Sequence, residues 1–286
     1  MSIATECMVV SLQVGVWQGY RHDKDASARV TENANAETDA ARVNKHLIPK
    51  SAINPVLASA QAARRHLHHY TLPWRDNGDR LLTRKLYADF MMTQGTFAER
   101  FEAEVETFLN VTYDEARGRA EFRMGELFNP DDYPPVSDLR RRFYLNVDIL
   151  PVEAANDFRV DIGEAEVERI KSQMTEQLDE RAAAAQADVW KRLAEVLGHY
   201  AEKVADGPFK ESTITKLVEL NDMIPGLNFS GDQELEAIRA RIAKRLAPYS
   251  AKDLRQDEGQ RDVVSQEAKG ILEDMSGFMK AFGGTK

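Results

Sequence analysis

Between residues 8 and 17, MVVSLQVGVW, apolar side chains fall at every second position. Val10, Leu12, Val14 and Val16 alternate with Ser11, Gln13 and Gly15. A period of two predicts a β-strand with one face buried. From residue 21 to about 35 the chain is polar with few apolar residues, which predicts a loop. Residues 38–47 and 51–70 read as helices, the second capped by Ser51, with Ile53, Val56, Leu57, Ala60 and Ala63 sharing one face. Asn77-Gly78 then lies between two short apolar stretches, with Trp74 before it and Leu81 and Leu82 after it. That dipeptide predicts a β-hairpin with a type I′ turn, which needs positive φ at both centres.

From Thr83 the period becomes helical. Leu86, Phe90, Phe97, Phe101, Val105 and Phe108 recur at threes, fours and their sums, so one long amphipathic helix is expected to about residue 127, with a break near Gly118. Phe128-Asn129-Pro130 ends it, and Pro130, Pro134 and Pro135 impose an extended connection. Residues 143–152 and 158–162 read as short strands joined by a turn at Ala155-Asn156-Asp157. Asp161 with Glu164 resembles a capping box and opens a second long helix, running to about 205. Its apolar face is Val167, Ile170, Met174, Leu178, Ala185, Val189, Leu193, Val196, Tyr200 and Val204, and Asp206-Gly207-Pro208 stops it. Further helices are expected at about 210–222, 232–246 and 262–282. The architecture that follows is α+β, mainly α: long antiparallel helices with a small sheet from an N-terminal strand and hairpins. It divides into an α+β region, 1–162, and a helical region, 163–286.

Composition adds limits. At 286 residues and 43% hydrophobic content there is material for one large core or two smaller ones. Cys7 is the single cysteine, which excludes an intramolecular disulfide and a four-thiolate zinc site; it reads as a small apolar residue beside a strand. No stretch approaches the roughly 18 apolar residues of a membrane span. The apolar N-terminal run lacks a basic start and is soon followed by Arg21, Asp23 and Lys24, so a cytoplasmic protein without a secretory signal is expected. The net charge of −9 is uneven: residues 1–90 hold 12 Lys+Arg against 9 Asp+Glu and five of six histidines, whereas 91–286 hold 26 against 38. An anionic ligand would therefore sit on the front.

Catalytic signatures are missing: no GxxxxGK[ST], HExxH, GxSxG or GxGxxG occurs, so a protein without enzymatic activity, cofactor or metal is expected. His66 and His69 would share a helix face as metal ligands can, but with His68 they also read as a basic helix end or as part of an anion site. Asp131-Asp132 and Asp114-Glu115 read as turn and helix-surface residues rather than catalytic pairs. The most suggestive set is Trp17, Tyr20, Arg21, Lys24, Arg64, Arg65, Tyr70, Trp74, Arg75, Arg80, Arg84 and Lys85. Rings interleaved with cations suit single-stranded nucleic acid, where bases stack and phosphates are neutralised. The competing explanation is that Trp17 and Trp74 are core residues and the cations ordinary surface. Near the C-terminus Ile271, Leu272, Met275, Phe278, Met279 and Phe282 form an apolar stripe that docks on the chain's own core or on a neighbouring subunit.

The succession VSLQVGVWQGYRHDKDASARV, RVNKHLIPKSAINPV, AARRHLHHYTLPWRDNGDRLL and ELFNPDDYP resembles an uncharacterised family of tailed-phage and prophage proteins. The likeness covers roughly residues 8–165, and the LPW-DNG-R and LFNP-DYP blocks are its most specific parts. It implies a phage-encoded protein in a bacterial host cell, with a place in DNA metabolism or host redirection, and it carries over no catalytic residue. Two roles follow. One is an oligomeric binder of single-stranded nucleic acid. The other is a protein-interaction or scaffold component, an adaptor for a phage ATPase or host factor, that binds no nucleic acid. Both imply self-association through the long helices.

Overall fold

The protein is described here as a computed structural model covering residues 3–153, 164–207 and 209–282. In chain order its elements are α1 (Ile3–Glu6), β1 (Cys7–Gly15), β2 (Tyr20–Asp23), α2 (Lys24–Asn33), β3 (Val43–His46), α3 (Lys50–Tyr70), β4 (Leu72–Pro73) and β5 (Arg80–Thr83). There follow α4 (Tyr87–Thr107), α5 (Tyr113–Gly118), α6 (Ala120–Met124), α7 (Val136–Arg140) and β6 (Tyr144–Pro151). The remainder is helical: α8 (Glu164–Asp206), α9 (Glu211–Leu227), α10 (Gln233–Arg245), α11 (Ala251–Gln256) and α12 (Glu258–Phe282). The class is α+β, mainly α, with long helices and a small antiparallel sheet in the order β4-β5-β1-β6; β2 and β3 form a separate ribbon.

The chain forms two compact units that are not contiguous in sequence. One comprises Met1–Ser11, Tyr70–Asp89 and Asp148–Lys286; the other comprises Leu12–His69 and Phe90–Val147. This differs from the expected division at 162/163, because the start of the first strand, up to Ser11, and the hairpin join the C-terminal helices. Sequence proximity could not show that.

In the first unit, β1 pairs with β5 from Cys7↔Thr83 to Val10↔Arg80, and β5 pairs with β4 through Leu72↔Leu81. Val9 and Val10 are both buried, so β1 starts covered on both faces rather than on the single expected face. Helix α8 runs 43 residues, about 65 Å at 1.5 Å per residue. From Ala185 onward its apolar face (Val189, Leu193, Leu197, Tyr200, Val204) is sealed, with α9 and α12 as its main helical neighbours. The first long helix, α4, belongs to the other unit from Phe90 onward, and α8 has α9 and α12 as its main helical partners. Ile271 and Met275 of α12 enter this core, in line with the docked alternative for the C-terminal stripe. Gly207, at φ 107°, ends α8.

The hairpin forms where Asn77-Gly78 placed it, with a different turn. Gly78 alone has positive φ, 96°; its N–H donates to the Arg75 carbonyl at 3.3 Å, and Arg75 N–H donates to the Asp79 carbonyl at 3.2 Å. That is a three-residue loop closed by a glycine bulge. Asn77 takes an ordinary φ because its side chain does local work: Oδ1 accepts from the Asp79 N–H, and Nδ2 donates to the Asp79 carboxylate.

In the second unit, α3 presents Ile53, Val56 and Ala60, and α4 presents Phe101 and Val105, to a core that also takes Phe108 and Tyr113. Helix α3 begins at Lys50 with no cap from Ser51. The segment 21–35 is not a loop. Asp23 caps α2, accepting from the Ala26 N–H at 2.9 Å. Asn35, at φ 50°, ends α2 with Ala36 N–H bonded to the Thr31 carbonyl and Asn35 N–H to the Glu32 carbonyl. This is a Schellman turn, and it sends the chain back to form β3, where a helix over 38–47 was expected. Helices α7 and α11 are also additions to the sequence reading. The strand expected at 158–162, its turn, the Asp161 cap and the side chains of Phe278, Met279 and Phe282 lie outside the described residues.

One buried side chain joins two helices of the first unit. Trp190 Nε1 donates to Asp232 Oδ2 at 3.0 Å, while Asp232 Oδ1 accepts from the Glu234 and Leu235 N–H groups and caps α10. Asp232→Ala removes a cap worth about 1 kcal/mol and the acceptor of a buried indole N–H, worth a further 1–3 kcal/mol or so. Urea unfolding is expected to show a loss of roughly 2–4 kcal/mol; a loss below about 0.5 kcal/mol would show that neither role matters.

Candidate functional site

The twelve residues of the ring-and-cation set are divided between the two units, with Tyr70 in the first. Trp17, Tyr20, Arg21, Lys24, Arg64 and Arg65 belong to the second unit; Trp74, Arg75, Arg80, Arg84 and Lys85 belong to the first. Both tryptophans are core residues, so neither ring is open to a base. Trp17, 7% exposed, lies 5.7 Å edge-on from Tyr113 and 6.2 Å from Phe108. Trp74, 4% exposed, packs in the core that holds Leu72, Leu81 and Val189. The ring partners of Trp17, and Val189 in the core around Trp74, lie about a hundred residues along the chain, which is why local spacing did not place them inside.

Most of the cations have partners within the protein. Arg80 is buried, bonded through Nε to Thr71 Oγ1 at 2.7 Å and through its terminal nitrogen to the Thr71 carbonyl. Burial, with Arg192 nearby, pulls its pKa down to about 10, against the pull of Asp188. Arg75 pairs with Glu153 at 2.7 Å and Asp79 at 3.3 Å; Arg84 reaches Glu6. Lys85 donates to the Pro225 carbonyl, and Arg64 to that of Val14. Lys24 and Arg65 are exposed cations with no bond or ion pair among the described residues.

The second unit gathers a different group. Arg21 and Lys45 sit directly opposite one another on β2 and β3, and both reach Asp132, at 2.8 Å and 2.6 Å. Asp23 adds a contact to Lys45 at 3.3 Å. Lys45 also donates to the Leu127 carbonyl, Arg21 to that of Asp131, and Tyr133 Oη to that of Leu47 at 2.9 Å. Arg123 of α6 donates to the His46 carbonyl, and Tyr20, half exposed, stands edge-on to His46. The LFNP-DYP block is thus a structural clasp on the β2–β3 ribbon. Asp132 was read as a turn residue, and its side chain proves 5% exposed between cations distant in sequence. The Ala26 N–H holds Asp23 below the usual carboxylate range, against burial and with help from Lys45. Burial works against the Lys45 charge, but Asp132 and Asp23 outweigh it and raise its pKa.

The histidine group separates likewise. His66 is buried, stacked on Phe90 at 5.3 Å with 5° between planes, and bonded to the Phe90 carbonyl. Burial lowers its pKa, as does His69, while the carbonyl bond opposes them. It packs as a neutral core ring, with His68 and His69 exposed, and no group of three or more His, Cys, Asp or Glu among the described residues could hold a metal. Cys7 is buried at the head of β1, where burial, and then Glu6, push its thiol up to about 12.

No protein-family model, curated protein or solved structure matches this chain. The phage resemblance rests on the quoted blocks alone. No described helix is long and apolar enough to cross a membrane.

One group is conspicuous for what it leaves open: Phe122 of α6 is 98% exposed, with Val111 at 51% and Met92 at 72% on the same unit.

Asp23 sets a pH signature. Its folded pKa is depressed, so its stabilisation is complete above the unfolded value of about 3.9 and is lost as pH falls through the folded value. Asp23→Asn keeps a competent cap and removes that titration. Urea midpoints at about pH 7 and pH 3 are expected to converge more in the variant than in wild type; equal losses in the two proteins would refute the assignment.

Proposed function

We propose that this protein acts by binding another protein, as a non-enzymatic adaptor or scaffold component, rather than by gripping nucleic acid. The observation that carries the reading is the Phe122 ring, 98% exposed on a helix whose neighbouring Arg123 is fastened to β3. An aromatic ring fully in water loses free energy that a protein partner's pocket would restore, and such anchors dominate interface energetics. The internal pairing of Arg21, Lys45, Arg75 and Arg84 supports it from the other side, because phosphate binding would have to compete with those carboxylates. The first unit, with 23 Lys+Arg against 31 Asp+Glu, is ill suited to a polyanion. The phage resemblance points to a phage ATPase or host factor in the bacterial cytoplasm as the partner.

Nucleic acid binding is the second reading, favoured by Lys24 and Arg65, which are unpaired, and by the half-exposed Tyr20. Self-association belongs to either. Val167, Ile170 and Met174, each partly exposed, line one side of α8 ahead of its sealed portion and join neither core cluster among the described residues, a stripe that a second copy would cover.

Two measurements separate the readings. Labelled single-stranded oligonucleotides at low salt are expected to show no anisotropy change at micromolar protein, and the protein is expected to co-purify with one stoichiometric partner that resists nuclease and is lost on Phe122→Ser. Micromolar oligonucleotide binding that weakens steeply with salt would select the second reading instead. Light scattering is expected to give a mass above the monomer that rises with concentration; a constant monomer mass removes self-association from both.

A further inference from the structure

Lys24 shares a recess with a second cation, Arg42. The Schellman turn at Asn35 brings residues 38–42 back beside the start of α2, and between them lies a recess of about 410 Å3. Its walls include His22, Lys24, Ser27, Thr38, Asp39 and Arg42. Ligand pockets span about 300–1,000 Å3, so the recess is large enough for a small molecule and larger than an inorganic phosphate needs.

The walls are fixed by hydrogen bonds rather than by chance approach. Ser27 Oγ donates to the Asp23 carbonyl at 2.6 Å, accepts from the Val43 N–H at 2.9 Å and lies 3.1 Å from His22 Nε2. Because the hydroxyl proton is committed to Asp23, His22 Nε2 is the donor in that contact, which orients its ring at the rim. Thr38 adds a hydroxyl. Neither Lys24 nor Arg42 makes an ion pair or hydrogen bond among the described residues, unlike Arg21 and Lys45 of the neighbouring ribbon. Asp23 is already engaged by Lys45 and the Ala26 N–H, so Asp39 is the one carboxylate among the lining residues.

We propose that this recess is a binding site for the phosphate group of a small molecule, held between Lys24 and Arg42 with hydroxyl donation from Thr38. Two unpaired cations across a hydroxyl-lined concavity match a phosphate's charge and its several acceptor oxygens. Asp39 opposes the anion and keeps affinity modest. The site is independent of the Phe122 surface and of the protein-binding role argued from it.

The test is calorimetric titration of the full-length protein with inorganic phosphate, pyrophosphate and adenosine monophosphate at constant ionic strength. Saturable binding by at least one of them is expected. Lys24→Ala combined with Arg42→Ala is expected to weaken it roughly tenfold or more, since both positive charges facing the anion are removed. Lys216→Ala combined with Lys244→Ala, two exposed cations elsewhere, is expected to leave it unchanged. Asp39→Asn is expected to tighten binding severalfold, an opposite sign that misfolding would not produce. Tighter binding of adenosine monophosphate than of phosphate would place an organic group in the remaining volume. The proposal is overturned if wild type shows no saturable binding of any of the three at millimolar concentration. It is equally overturned if the Lys24/Arg42 variant binds as wild type does, or if Asp39→Asn weakens binding.

Discussion

A carboxylate that is 5% exposed must be neutralised, and the second unit is arranged around doing so for Asp132. Arg21 and Lys45 face each other across the β2–β3 ribbon, a like-charge pair that destabilises the ribbon by itself. Asp132 lies within ion-pair distance of both and converts that repulsion into an attachment. Asp23 then serves twice, as the cap of α2 and as a second carboxylate for Lys45. The ribbon, the start of α2 and the prolines around residue 130 are therefore held by one charge cluster. Removing one member leaves the others partly unpaired.

This constraint also decides how the basic front of the chain is to be understood. Counting Lys and Arg gives the first ninety residues a slight positive excess, but the count says nothing about what each cation already touches. Arg21, Arg75, Arg80 and Arg84 are committed to carboxylates or to a threonine inside the protein. What remains for an outside ligand is smaller and more local: the exposed Phe122 ring, the unpaired Arg65, and the Lys24 and Arg42 pair around a recess.

Large apolar side chains at regular spacing made much of the fold legible. Strand β1, helices α3, α4 and α8, and the hairpin at Asn77-Gly78 all lie where periodicity and turn chemistry placed them. Elements that bury small or polar residues were not legible. Helix α2 hides Ala26, Ser27 and Thr31 and leaves Val30 in water, so it carries no apolar stripe to detect. Strand β3 half-buries Val43 and Lys45 and exposes Asn44 and His46, a pattern too short and too charged to outweigh a helical reading. The candidate site was less legible still. Tryptophan and arginine suit both a core and a binding surface, and the distinction depends on residues about a hundred positions away, as Tyr113 does for Trp17 and Asp132 for Arg21.

The claim that the front cations are structural can be measured as a coupling energy. In a double-mutant cycle, urea unfolding is compared for wild type, Lys45→Met, Asp132→Leu and the double variant. A structural pair at 2.6 Å with both side chains largely buried is expected to couple by about 1 kcal/mol or more, each single variant costing more than its share of the double. Additive losses, with a coupling near zero, would mean that Lys45 and Asp132 are independent and that the cation is free for an external ligand.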